Sequence, residues 1–131
     1  MSPFFGDGQY VRITEVNNIQ LGDVVAFSTQ ERTVFHRVVL LTRKNIVCKG
    51  DNCLHFDWGT YDFGAHYRVV RHKFGKQVAI LSRFWGNRFY RRYKKNPQKF
   101  EAHIYSKLLL LLQKISIGII YLIYCACGKD G

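Results

Sequence analysis

The run Val34-Phe35-His36-Arg37-Val38-Val39 sets a histidine among apolar residues. Lys49-Gly50-Asp51-Asn52 follows a short distance on, with Asp57 just beyond. Histidine is the side chain that ordinarily titrates near neutral pH, and a carboxylate on its second ring nitrogen holds it as an oriented general base. Histidine plus carboxylate is two-thirds of a Ser–His–Asp hydrolase arrangement. Each piece also has a simpler reading when taken alone. On a strand, His36 shares a face with Val34, Val38 and Leu40, while Phe35, Arg37 and Val39 take the other, so His36 reads as a core histidine with a backbone partner. Gly50-Asp51-Asn52 reads as a tight turn, because Asn and Asp tolerate left-handed backbone and bond to it locally.

The elements that must hold these residues show a period near two from residue 9 to about residue 83. Gln9–Thr14, Asp23–Phe27, Thr33–Thr42, Asn45–Lys49, His66–His72 and Gln77–Leu81 are rich in Val, Ile and other strand formers. Gly6-Asp7-Gly8, Leu21-Gly22-Asp23, Gly50-Asp51-Asn52 and Phe74-Gly75-Lys76 separate them. This spacing predicts a mainly β fold, compact and antiparallel, with no helical stripe before residue 84. The expected organisation is a β module over residues 1–82, a basic aromatic linker or helix over 83–107, and an apolar helix over 108–127.

The 131 residues suffice for one core, and 47% hydrophobic content excludes a disordered chain. The net charge of +11 is unevenly placed. Residues 1–70 are balanced, whereas residues 71–107 set eleven Lys and Arg against Glu101 alone. The implied partner is an anionic surface, and the segment implied is the tail. The stretch Arg83–Lys99 interleaves Arg88, Arg91, Arg92, Lys94 and Lys95 with Phe84, Trp85, Phe89, Tyr90 and Tyr93. Arginine beside aromatic residues is the chemistry of single-stranded nucleic acid binding. It is equally that of a membrane-surface belt, and the apolar segment downstream favours the membrane. Leu108–Cys127 has the length of a span but is interrupted by Gln113 and Lys114. Spanning, lying in the interface plane and docking on a partner helix all fit it.

The four cysteines are expected to be reduced thiols in a chain with a sizeable core. Cys48, Cys53 and His55 lack the second close pair that a structural zinc site needs, so no metal or other cofactor is expected. Cys125 and Cys127 read as packed thiols. Met1–Tyr10 has neither a basic start nor a long apolar run, so no signal sequence is expected there.

The order Gly6-Asp7-Gly8 with Gln9-Tyr10-Val11, then Leu21-Gly22-Asp23-Val24-Val25-Ala26-Phe27, then His36-Arg37-Val38-Val39, then Lys49-Gly50-Asp51-Asn52 and Asp57 resembles signal peptidases. More broadly it resembles the serine-peptidase clan they share with the SOS-repressor autoproteases. The likeness covers residues 1 to about 72. It is to the type in which histidine replaces the catalytic lysine. It implies an antiparallel signal-peptidase-like fold and a serine endopeptidase that cleaves a leader or signal peptide. It implies His36 as general base and Asp57 as the acid of the triad, with Asp51 as the alternative. The substrate it implies is a peptide or preprotein lying extended along a strand edge.

The family's nucleophile lies in a Ser-Met-x-Pro box, and this chain opens Met1-Ser2-Pro3. Aligning the proline puts the nucleophilic serine one position before Met1 and leaves Ser2 in the variable position. Three explanations follow: a start called too late, an inactive homologue that binds a membrane surface or another anionic partner, or service by Ser2 through a one-residue shift. The basic block precedes the apolar segment, so the positive-inside rule expects residues 1–107 on the cytoplasmic face.

Overall fold

The computed structural model describes residues 8–28, 30–96, 98 and 100–127. Met1, Ser2 and Pro3 lie outside the described residues. Strands β1 (Thr14–Val16), β2 (Val24–Ser28), β3 (Thr33–Leu41), β4 (Asn45–Lys49), β5 (Asp57–Thr60) and β6 (Tyr67–Val70) precede helices α1 (Gly75–Arg92) and α2 (Phe100–Ala126). The strands form one six-stranded sheet in the order β1-β6-β2-β3-β4-β5. Every pairing in it is antiparallel.

The expected antiparallel sheet is therefore present, but the architecture is mixed α/β. Helix α1 has 18 residues and α2 has 27, which outweighs a set of strands of which only β3 exceeds five residues. The largest departure is Gln77–Leu81, expected as a strand and found inside α1. Val78 and Ile80 favour strands locally. The buried side of the segment, however, is Gly75, Val78, Ala79, Ser82 and Gly86, a stripe of small residues at three- and four-residue intervals. Small residues let the helix backbone approach the sheet closely. A Cβ on Gly86 would stand 2.6 Å from the Phe56 ring and 3.1 Å from Lys49 Cε.

The two sheet faces have separate cores. Val25, Val38, Ile46, Cys48, Tyr61 and Val69 pack with Ile19 on one face. Val39 and Val47 pack with Ala79 of α1 on the other, with Leu21, Leu40 and Phe56 around them. Strand β3 carries a bulge, because Val38 pairs with Cys48 and Leu40 with Val47, leaving Val39 as the extra residue. The bulge corrects the expected alternation. Leu40 moves to the helix-covered face, and Val38 and Val39 are both fully buried on opposite sides.

Sheet and helix layer meet at two bare backbones. Gly22 has φ +95°, and a Cβ there would lie 2.2 Å from the Gly75 carbonyl carbon and 2.4 Å from the Lys76 nitrogen. Alanine at position 22 must adopt a left-handed backbone and push α1 away from the sheet. Gly22→Ala is expected to cost at least about 3 kcal/mol, read as a lowered urea midpoint. An unchanged midpoint would contradict this packing.

Candidate active site

His36 and Asp57 come from different strands. His36 is central in β3, and Asp57 opens β5, two strands away across β4. His36 Nδ1 lies 2.5 Å from Asp57 Oδ2, with side-chain exposures of 27% and 54%. A hydrogen bond at Nδ1 leaves Nε2 as the nitrogen able to exchange a proton with a substrate group. Nε2 lies 3.4 Å from the point a Cβ on Gly50 would occupy. Glycine there keeps that nitrogen uncovered.

The pair sits in a groove of about 370 Å³ on the sheet face away from α1, lined by Phe27, Val34, Ile46, Cys48, Trp58 and Tyr67 among others. Trp58 is 68% exposed and Phe27 40%. An open trough with apolar walls and a single acid–histidine pair suits extended chains with apolar or small side chains. Strand β5 ends the sheet order, so its outer edge offers backbone groups to such a chain.

The two acids that the sequence offered are thus separated in space. Asp51, the alternative partner for His36, gives both carboxylate oxygens to Arg37, at 2.9 Å from Nε and 2.7 Å from Nη2. Arg37 is fully buried and also donates to the Gly22 carbonyl at 3.0 Å, with His72 Nε2 at 2.7 Å from the same nitrogen. This network ties β3 to the Gly50 turn and to the chain leaving β6, directly behind His36.

Burial, and next the Arg37 guanidinium, push the His72 imidazole down to about 4, against the opposing pull of Asp51 and Asp23. The unfolded chain takes up this proton near the ordinary value of about 6.5, whereas the folded chain refuses it until about pH 4. Stability therefore falls as pH drops from about 6.5 to about 4. The loss from this residue is about 2 kcal/mol, given its partial exposure to solvent. Urea midpoints measured across that interval should fall less steeply for His72→Gln, and equal slopes would refute the assignment.

Sequence reasoning missed a second network. Lys49 Nζ donates to Ser82 Oγ at 2.8 Å and to Gln113 Oε1 at 2.7 Å. The Gln113 amide nitrogen donates to the Asp51 carbonyl at 2.5 Å and the Cys53 carbonyl at 3.2 Å. Burial lowers the Lys49 ammonium to about 8, partly offset by Asp51, Cys53 and Asp57. A lysine beside a serine can act as base and nucleophile, but Lys49, Ser82 and Gln113 all have zero exposure. This network joins α2 to the turn that carries the site. One signal was available: Gln113, beside Lys114, is a polar residue inside the apolar run Leu108–Cys127.

Cys53, expected only as a reduced thiol, also stands at the site. Its thiol is free and exposed, and Sγ lies 3.2 Å from the Gly50 Cβ position, at the same opening as His36 Nε2. Cys48 is different, since burial pushes its thiol up to about 12 and makes it part of the groove floor. His55 stacks edge-on against Phe89 of α1. Among the described residues, no three His, Cys, Asp or Glu side chains gather as metal ligands.

Among the residues expected to bind anions, Arg88, Arg91 and Arg92 line a cleft of about 410 Å³ with Phe84 and Asn87. Lys94 and Lys95 are exposed just past the end of α1. No family model matches the chain, and no curated protein or solved structure matches it significantly.

Proposed function

We propose that this protein is a serine endopeptidase of the signal-peptidase kind, cleaving a leader or signal peptide at the membrane surface, on its cytoplasmic face. The observation that supports this reading most is the His36–Asp57 pair, 2.5 Å apart and lining an open groove. Helix α2, long and apolar enough to cross a membrane, supports the location.

In this mechanism a serine hydroxyl supplied from the N-terminal side attacks the scissile carbonyl carbon while His36 Nε2 takes its proton. Asp57 holds Nδ1 and balances the charge of the imidazolium. Collapse of the tetrahedral intermediate breaks the C–N bond, and His36 returns the proton to the leaving amine. Water then repeats the cycle on the acyl-enzyme, using the same base. The substrate backbone pairs along the outer edge of β5, with its side chains against Trp58, Phe27 and Tyr67.

The test is cleavage of extended peptides with small residues before the cut. Two chains are compared by mass spectrometry of the products: this one, and the same chain preceded by a serine. Cleavage that disappears in His36→Ala supports the peptidase. Absence of cleavage by both chains overturns it in favour of an inactive, membrane-binding homologue.

A further inference from the structure

Helix α2 has two opposite apolar faces, and the protein uses only one. Ala102, Leu109, Gln113 and Ile117 are buried against α1 and the module. On the other side Ile104, Leu108, Leu111, Ile115, Ile119 and Leu122 are each between 48% and 67% exposed. At 1.5 Å per residue this stripe runs roughly 27 Å along the helix. A contiguous apolar band of this length on the surface is a contact face. Exposed Lys107 and Lys114, seven residues apart, mark the boundary between the two faces.

The arginine cleft of α1 adjoins the start of this stripe, because Arg88 Nε donates to Tyr105 at 3.2 Å and Tyr105 stacks with Tyr93 at 4.4 Å. Among the described residues no carboxylate pairs with Arg88, Arg91 or Arg92. Three guanidinium groups without a carboxylate, next to an apolar band, match a surface of phosphates above hydrocarbon. A second copy of the chain matches poorly, since it would bring another net charge of +11.

We propose that α2 lies in the plane of an anionic phospholipid bilayer, its exposed stripe in the acyl boundary and lipid phosphates in the Arg88–Arg91–Arg92 cleft. This rests on the membrane-surface reading above and replaces the open choice between spanning and lying flat. The decisive contact is Gln113. The middle of α2 is bonded to Lys49 and to the Asp51 and Cys53 carbonyls. A spanning α2 would either tear those bonds or draw Lys49 and the Arg37–Asp51 pair into hydrocarbon.

The experiment uses the full chain with phosphatidylcholine vesicles, with and without phosphatidylglycerol. Ile104→Cys, Ile115→Cys and Leu122→Cys carry a fluorescent label, one at a time, with Cys53, Cys125 and Cys127 changed to serine. Nitroxides placed shallow and deep along the lipid chains report the depth of each label. An in-plane helix gives the same shallow depth at all three positions. A deep Ile115 label between shallow ends means a span and overturns the proposal, as does concentration-dependent dimerisation without vesicle binding. Arg91→Gln with Arg92→Gln should weaken binding to the anionic vesicles roughly 20- to 30-fold, at about a factor of five per charge, and leave neutral vesicles little affected. Unchanged anionic binding would remove the phosphate cleft from the proposal. Cleavage assayed without lipid reads the peptidase separately, so kept cleavage with lost binding overturns this inference alone.

Discussion

Asparagine at position 57 is expected to lower kcat for peptide cleavage by about four orders of magnitude, with KM nearly unchanged. The carboxylate accepts the Nδ1 proton and thereby fixes which imidazole nitrogen is basic. An amide can present its NH2 instead and stabilise the opposite tautomer, leaving Nε2 protonated and unable to take a proton from the nucleophile. Asp57 is 54% exposed and holds no buried partner, so the fold should tolerate the change. His36→Ala should be at least as inactive. The double variant should be no worse than His36→Ala, because the two side chains act as one unit. Kinetics and urea midpoints on the three variants check this together. Near-normal kcat in Asp57→Asn would end the triad reading, even with the fold intact.

The largest expected effect on stability lies behind that pair, at Asp51. Removing its carboxylate takes both of its charged hydrogen bonds from the fully buried Arg37 side chain, while the bonds to the Gly22 carbonyl and His72 remain. Breaking one side of a buried, doubly hydrogen-bonded pair costs about 3–5 kcal/mol. That is a large share of the roughly 5–15 kcal/mol that holds a domain of this size together. Asp51→Ala should therefore populate unfolded chain at physiological temperature, visible as loss of cooperative urea unfolding or a large fall in its midpoint. Asp51→Asn keeps one oxygen as an acceptor and should fall between Asp51→Ala and the wild type. A midpoint within experimental error of wild type for Asp51→Ala would mean that Arg37 finds another partner.

What could be read in advance follows the strength of the local pattern. Asn45–Lys49 was bounded correctly, and Thr33–Thr42 nearly so, because each is a run rich in Val, Ile and other apolar residues between clear turns. Strand β5 was not visible, since Asp57 and Gly59 disfavour strands and the four-residue element is built by pairing with β4. Helix α1 was hidden twice over. No side chain caps its start at Phe74 and its first turn has no acid, so the usual entry signals are missing. Its contact stripe is glycine, alanine and serine around one valine, Val78, so hydropathy registers it only weakly. At the site, the sequence put His36 beside two acids without choosing by geometry. The choice depends on the pleat, which sends His36 into the groove and Arg37 to the opposite side, where Asp51 awaits it. The Val39 bulge and the Lys49–Gln113 contact, 64 residues apart, arise from tertiary packing and have no local signature.

The division of the sheet into an open face and a helix-covered face has a consequence for traffic. Alternation along β3 turns His36 toward the open groove and Arg37 inward, with α1 packed behind the sheet and α2 packed on α1 and bonded to the Asp51–Cys53 turn. On the proposed in-plane attachment through α2, the groove, which lies on the sheet face away from α1, would stay open to water. On that reading a peptide buried in the membrane would have no direct path to it. The segments the groove would reach are those already drawn out into the aqueous phase, such as a flexible stretch next to a membrane-held core. Selection would then act first on how far a peptide extends from the surface, and only afterwards on its side chains.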